Sequence, residues 1–260
     1  MSKTIKYIFT GIGLTLIVAC MVISFTAGVN SRKVIRCKGA VITVVDSIEN
    51  SFVTGRDIRG FLDKEYGGYI GTPVDSIDLT EIERIIDARS AVRKTQAYVT
   101  KDGILHIDVT QRRPVIRFQK SDGGFYADAE GYIFPLQKNY ASHVQVIDGF
   151  IPLAADSGFK GEIKSEKEQK WFRSIMKIVN YIENSRTWRD KIVQIHVNGD
   201  RDLVLIPREG DEFFIFGQPE DIEEKFRKME KYYTHIIPAK GDGYYKTVDL
   251  RFDGQVVCRK

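Results

Sequence analysis

Residues 97–109 have the sequence AYVTKDGILHIDV, and this stretch predicts a β-hairpin. Apolar and polar side chains alternate on either side of Lys101-Asp102-Gly103, a sequence typical of a tight turn between antiparallel strands. Alternation of this kind buries one face of each strand and leaves the other face in solvent. His106 falls on the solvent face, so a surface role is expected for it rather than a catalytic one.

One strand and two helices are predicted before the hairpin. Residues 40–45 are rich in β-branched side chains and predict a strand. Thr54 with Asp57 forms a variant capping box for the first helix, and the second helix is predicted to begin at Thr80 with Glu83 completing its box. The order β-α-α-β-β is that of a compact α+β unit. The apolar faces of the two helices are formed by Ile58, Phe61, Leu62, Ile82, Ile85 and Ile86.

A β-rich domain is predicted over residues 111–260. Pro114 lies near its start, because proline cannot donate to a β-ladder and belongs at a strand edge or beginning. Short strands are predicted at residues 115–118, 125–128, 132–134, 143–147, 192–197, 203–206, 213–216, 247–252 and 255–258. The last two are expected to be joined by a turn at Asp253-Gly254.

Two helices are predicted to pack on these strands. Ser165 and Glu168 resemble a capping box at the start of the first helix. Its helical stripe is formed by Trp171, Phe172, Ile175, Ile178, Val179 and Ile182. Residues 220–233 predict a second, highly charged helix, whose charges are expected on a solvated side. Its buried face is predicted to contain Phe226, Met229 and Tyr233.

The amino-terminal part predicts a single transmembrane helix. Residues 8–29 contain no charged side chain, and such a run is long enough to cross a bilayer core of about 30 Å. Residues 1–7 would then form a short cytoplasmic tail and residues 30–39 a connector. Basic residues on both sides of the run leave its orientation open. A cleaved export signal and a lipoprotein signal with Cys20 as the modified residue remain alternatives.

Composition and motifs favour no enzyme, metal site or nucleic-acid partner. The 39 basic residues are nearly balanced by 35 acidic ones, which gives no basic surplus for nucleic acid. Neither a nucleophile elbow nor a phosphate-binding loop is present, and no Cys/His cluster suggests a metal or another cofactor. Pairing of Cys37 with Cys258 stays open, because sequence does not give the distance between them. A hydrolase would need carboxylates such as Asp128, Asp148 and Asp249, which lie beside turns or strand ends where aspartate is commonly structural.

The order of these parts resembles the bacterial cell-division family FtsQ/DivIB over nearly the whole chain. The first domain resembles a POTRA-type module, of which the family has one after its membrane helix. The segments that carry the resemblance are 52–58, Leu79 with Ile82 and Ile86, Val92 with 97–99, 111–116, 128–134, 146–149, Phe216-Gly217 with Lys225, and 248–252. Gln111 stands where the family has an acidic residue, the tail is short for a role in recruitment, and residues 150–190 match poorly.

The resemblance implies a non-enzymatic scaffold of the divisome with a periplasmic carboxy-terminal domain held at the inner membrane. It implies binding to FtsB-like and FtsL-like division proteins, contact with other divisome membrane proteins, and control of septal peptidoglycan synthesis. Partner binding is expected at the last strands, by addition of a strand to an exposed edge. The residues expected there are Arg251, Phe252, Gly254, Val256 and Val257. For Phe252, burial in the core is the alternative. A POTRA-bearing envelope export or assembly factor, and an anchored envelope hydrolase, are the alternative functions.

Overall fold

The computed structural model of this chain describes residues 14–24, 35–45, 52–121, 123–137 and 140–260. Residues 14–24 form a helix, α1, which is the described part of the predicted membrane helix. Within these ranges, no helix combines the length and the apolar character that crossing a bilayer requires. The remaining residues of the predicted span, 8–13 and 25–29, lie outside the described residues.

A three-stranded sheet with two helices forms the first domain, as the β-α-α-β-β pattern predicts. Its elements are β1 (Gly39–Val44), α2 (Gly55–Glu65), α3 (Leu79–Asp87), β2 (Val92–Val99) and β3 (Ile104–Gln111), with a short 3-10 turn at Val74–Ser76. The strand order is β1-β3-β2, with β1 parallel to β3 and β2 antiparallel to it. Gly103 adopts a φ of 85°, which explains the glycine in the hairpin turn. His106 lies on the outer face and stacks on Tyr98, as expected of a surface residue.

The caps of α2 and α3 show what local pattern can and cannot predict. Thr54 accepts a hydrogen bond from the Asp57 amide, and the Asp57 carboxylate accepts from the Thr54 amide, so the predicted capping box is confirmed. The predicted start of α3 at Thr80 is wrong, because Asp78 caps the helix by accepting from the Glu81 amide at 2.9 Å. Glu83 instead accepts from the Ala97 amide on β2.

A ten-stranded sheet forms the second domain. Its strands are β4 (Pro114–Lys120), β5 (Gly123–Asp128), β6 (Tyr132–Pro135), β7 (Gln145–Gly149), β8 (Gly161–Glu162), β9 (Ile192–Val197), β10 (Leu203–Pro207), β11 (Phe213–Gly217), β12 (Thr247–Asp249) and β13 (Val257–Arg259). Their order across the sheet is β13-β12-β11-β10-β9-β7-β4-β5-β6-β8. Three of the pairs are parallel (β4 with β7, β7 with β9, and β11 with β12).

Helices α4 (Glu166–Asn184), α5 (Ile222–Lys231) and α6 (Ile237–Lys240) belong to this domain, with a π-helical segment at Tyr232–Ile236 between the last two. The predicted stripe of α4 lies in the core, with Trp171 partly buried. Its predicted capping box is absent: Ser165 makes no side-chain cap, and Glu168 accepts from the Ala154 amide instead. Phe226 and Met229 of α5 are buried as predicted. In the π-helical segment that follows, Tyr232 is fully buried, whereas Tyr233, which was predicted to be buried, is only partly so.

The two domains meet in an aromatic cluster. Phe52 of the first domain has its ring centroid 5.6 Å from that of Tyr126, 6.0 Å from that of Phe134 and 4.9 Å from that of Tyr140, all of the second domain. Gln111 is buried at the junction, where its side-chain oxygen accepts a hydrogen bond from the Val53 amide at 2.8 Å. An acidic residue is therefore not needed at position 111 to bind this amide.

Candidate functional site

The expected partner-binding residues lie in and after the segment that leaves β12. The prediction of one continuous strand from 247 to 252 is wrong, because β12 ends at Asp249 and residues 250–256 form an irregular connection to β13. The Leu250 amide still donates to Ile215 at 3.0 Å. One residue later the ladder stops, because the Arg251 amide donates to the Asp249 side chain.

Lys228 of α5 holds this connection, which is called the 250–256 segment below. Its ammonium group donates to the Phe252 carbonyl at 2.8 Å and to the Leu250 carbonyl at 3.3 Å, and it lies 3.3 Å from the Glu224 carboxylate. Lys228 and Lys225 are both buried, so the expectation that the charges of this helix are all solvated is wrong. Both lysines occupy borders of the apolar face, where a long side chain can bury its stem and direct its charge to backbone oxygens.

Arg251 is fixed by two carboxylates. Its guanidinium donates to both oxygens of Asp249, at 2.9 and 2.7 Å, and to Asp202 at 2.9 Å. Asp249 is fully buried, and burial favours its neutral form, but the hydrogen bonds and charge of Arg251 outweigh burial and lower the pKa of Asp249. The same carboxylate hydrogen bonds raise the pKa of Arg251. The Arg251 side chain keeps 42% of its surface exposed, so one side of the guanidinium remains in contact with solvent.

Gly217 gives Arg251 the room that this geometry requires. Gly217 has a φ of 74°, and a Cβ atom there would lie 2.8 Å from the Cγ of Arg251. The next residue, Gln218, has its carbonyl bound by the Lys225 ammonium at 2.8 Å and its side-chain amide bound to Asp202 at 2.8 Å. Burial lowers the pKa of Lys225 despite the acidic residues around it. Three of the segments that carry the family resemblance therefore lie together around Arg251. They are Phe216-Gly217, Lys225 and residues 248–252.

Phe252 is exposed, with 40% of its surface accessible, so burial in the core is not its role. Gly254 is also exposed and has a φ of 65°, which suits glycine at this turn. Val256 is partly buried and packs against the domain core, and Val257 is the first residue of β13. The structure thus brings together the five residues expected from the sequence, but only Arg251, Phe252 and Gly254 are exposed.

Strand β13 is the last strand of the large sheet. It pairs antiparallel with β12, placing Cys258 beside Val248 and Val257 beside Asp249. Among the described residues no strand pairs with its other side. Cys258 and Cys37 are free thiols, and burial raises the pKa of Cys258. The molecule therefore presents a short open strand edge next to Phe252.

The three aspartates considered for hydrolysis have separate local partners. Asp128 accepts from Arg112 at 2.9 Å and from two backbone amides of the following turn. Asp148 lies 2.9 Å from a ring nitrogen of His196, and Asp249 binds Arg251. Three strands separate the strand of Asp148 from that of Asp249, a distance of about 19 Å at the usual strand spacing. In the described part of the chain, no three metal-ligating side chains come together.

Asp202, Gln218 and Lys228 hold the site together, and sequence reasoning missed all three. For Lys228, the one local signal of burial was its position next to Met229, at the border of the predicted apolar face of the helix. Asp202 lies 49 residues before the Arg251 that it binds, so no periodicity connects them.

Two family models match this chain. A model described as FtsQ/DivIB, C-terminal related, matches residues 113–259, and a POTRA-like domain model matches residues 35–110. The comparison with curated proteins gave no match. The first model covers the ten-stranded sheet with the 250–256 segment, and the second covers the three-stranded sheet with its two helices.

Proposed function

This chain belongs to the FtsQ/DivIB, C-terminal related family, and from that premise we propose that it is a non-enzymatic scaffold of the bacterial divisome. The carrying observation is the open edge of β13 beside the exposed side chain of Phe252. The scaffold would bind FtsB-like and FtsL-like division proteins at this edge, make contacts with other divisome membrane proteins, and through them help to control septal peptidoglycan synthesis.

Strand addition is the mode of binding that suits this edge. A partner segment in extended conformation would pair with β13, where backbone hydrogen bonds supply affinity that does not depend on partner sequence. Specificity would come from side chains beside the strand. Phe252 offers an aromatic anchor, a residue type enriched among the side chains that dominate interface energies. The exposed side of the Arg251 guanidinium offers a positive charge to an acidic partner residue.

The anchor proposed for this scaffold is residues 8–29, which carry no charge over a length that suits a bilayer. Residues 1–7 would lie in the cytoplasm, residues 30–39 would connect to a POTRA-like domain at 40–110, and residues 111–260 would form the β domain. Both folded domains would then lie in the periplasm on a single-pass inner-membrane protein.

The test uses the full chain in detergent and measures its binding to immobilised periplasmic segments of FtsB-like and FtsL-like proteins. Phe252→Glu is expected to weaken binding by at least ~10-fold, because loss of an interface anchor removes ~2 kcal/mol. The matched control is Phe150→Glu, since Phe150 is 68% exposed and follows β7, which three other strands separate from β12. It should bind like the wild type.

Equal binding by Phe252→Glu and the wild type would show that the partner does not use this edge. A well-folded wild type that binds neither segment would remove the support for a divisome scaffold. The alternative function, a POTRA-bearing envelope export or assembly factor, would then be the hypothesis to test next.

A further inference from the structure

Three segments meet where the chain enters the first domain. They are residues 35–38 before β1, residues 69–73 in the loop after α2, and residues 100–103 in the β2–β3 turn. The Cys37 amide donates to the Thr72 carbonyl at 2.9 Å, and the Gly71 amide donates to the Cys37 carbonyl at 2.7 Å. The Lys38 amide donates to the Gly103 carbonyl at 2.8 Å. The three segments therefore form one end of the domain, which is called the entry surface below.

The entry surface and the second domain lie at opposite ends of the first domain. Strands β1 and β3 both begin at the entry surface and run away from it in parallel. The junction with the second domain is at the far end of β3, where Gln111 binds the Val53 amide. Because β3 has 8 residues, about 25 Å separate the two ends at the usual rise per residue.

The length of chain before the entry surface limits its distance from a membrane. Six residues lead from Val29, the last residue of the uncharged run, to Ile35. A chain of that length spans at most about 20 Å when fully extended. The anchor proposed above at residues 8–29 would therefore hold the entry surface within about 20 Å of the bilayer, and the inference drawn below rests on that anchor.

Two isoleucine side chains of the entry surface are exposed to solvent. Ile70 has 62% of its surface accessible and Ile35 has 37%. Tyr69 is only 2% exposed, so one residue fixes the loop in the core while the next points outward. Gly71 follows with a φ of 84°, a conformation that suits glycine in a tight turn. Single exposed apolar residues are common on protein surfaces, but these two lie where the chain arrives from the proposed anchor.

The charge of the entry surface suits anionic lipid headgroups. Arg36, Lys38 and Lys101 are all exposed. The acidic residues within these segments or two residues beyond them are Asp75 and Asp102, so basic residues are in excess. Basic side chains beside exposed apolar ones are typical of protein surfaces that lie on anionic membranes.

We propose that the entry surface lies on the bilayer that holds the anchor. Ile70 and Ile35 enter the headgroup region, and Arg36, Lys38 and Lys101 contact anionic headgroups. The first domain then stands with its β1 and β3 strands pointing away from the membrane. The second domain is held about 25 Å further out, at a fixed height above the bilayer.

The test uses the full chain in vesicles of phosphatidylcholine and phosphatidylglycerol, with and without lipid brominated near the headgroup end of its acyl chains. Bromine quenches tryptophan emission only at short range. Ile70→Trp and Ile35→Trp each place a tryptophan on the entry surface. The emission of the native Trp171 and Trp188, both in the second domain, is subtracted by measuring the wild type in the same vesicles. The added emission is expected to fall by at least ~2-fold with brominated lipid, because interfacial side chains lie ~5–10 Å deep.

Val45→Trp is the matched control, because Val45 is 65% exposed and follows β1 at the other end of the domain. Its added emission should not fall, which also shows that a tryptophan alone does not draw the domain to the membrane. Lys38→Glu and Lys101→Glu together, in the Ile70→Trp chain, should reduce the quenching by at least ~2-fold, because both charges then repel anionic lipid. Unchanged quenching would refute the part of the contact assigned to charge.

Quenching of Val45→Trp as strong as that of Ile70→Trp would overturn the proposal, because the domain would then not stand on its entry surface. So would the absence of quenching in both entry-surface variants when the chain stays with the vesicles after carbonate extraction; the anchor would then survive without the contact. Loss of the chain from the vesicles on carbonate extraction would refute the anchor and this contact together. Binding at Phe252 is measured in detergent, so the scaffold can fail or stand separately.

Discussion

Replacing Lys228 by methionine should release the 250–256 segment while leaving the rest of the large sheet in place. The substitution keeps the length of the side chain but removes the ammonium that binds the carbonyls of Leu250 and Phe252. A hydrogen bond from a charged donor contributes ~1.5–3 kcal/mol, and the 3.3 Å bond to Leu250 belongs at the weak end of that range. Methionine also avoids the desolvation that a buried ammonium suffers, which offsets part of the loss. The net local effect is expected to be ~2 kcal/mol.

Hydrogen exchange followed by mass spectrometry measures this local effect directly. Peptides covering residues 250–259 should exchange ~30-fold faster in Lys228→Met than in the wild type, since each ~1.4 kcal/mol is a factor of ten. Peptides from β9, in the middle of the sheet, should not change. Lys231→Met is the matched control, because Lys231 is exposed on the same helix. Acceleration equal to that of Lys231→Met, or spread evenly over the sheet, would refute the role assigned to Lys228.

Two further predictions concern the surroundings of Arg251. Because the folded-state pKa of Asp249 lies below its ordinary value of 3.8, its ionised form adds stability that is present above that value and lost as pH falls through the folded pKa. The urea midpoint of Asp249→Asn, measured from pH 7 to pH 3, should therefore fall less steeply in acid than that of the wild type; parallel curves would contradict this. Gly217→Ala should lower the unfolding temperature more than Gly254→Ala does. Both sites have a similar positive φ, which strains an alanine by ~1–2 kcal/mol. Only at Gly217 does the new Cβ also clash with the Arg251 side chain. Equal decreases in unfolding temperature would show that the Arg251 side chain moves aside without cost.

The elements of this fold could be predicted from sequence where one segment carried its own signal. The hairpin of residues 97–109 has alternation and a turn, and α2 has both halves of its capping box within four residues. Predictions failed where a side chain found a more distant partner. Glu83 and Glu168 match the capping pattern, yet Glu83 binds the Ala97 amide in β2 and Glu168 binds the Ala154 amide in the connection between β7 and β8.

The candidate site shows the same division between local signal and distant contact. The resemblance to FtsQ/DivIB predicted a partner surface at Arg251 and Phe252, but it gave no reason for their conformation. That reason lies in Lys228, 24 residues before Phe252, and in Asp202, 49 residues before Arg251. The strand predicted through residue 252 stops at Asp249 because these partners take over the polar groups of the backbone and side chain. No pattern within the last strand contains that information.

The exposure of Phe252 and the burial of Lys228 are two parts of one arrangement. A large aromatic side chain at a chain connection would normally turn inward, since burial of its apolar surface is favourable. Here the backbone on either side is fixed, by Lys228 through two carbonyls and by Arg251 through Asp249. Phe252 therefore stays at the surface in a defined position beside β13. Under the scaffold proposal, a partner would meet an anchor and a strand edge that are already ordered, so binding would lose less conformational entropy than it would with a mobile tail. The burial of Lys228 and Asp249 thus has a structural reason, because both residues fix the backbone that holds Phe252 at the surface.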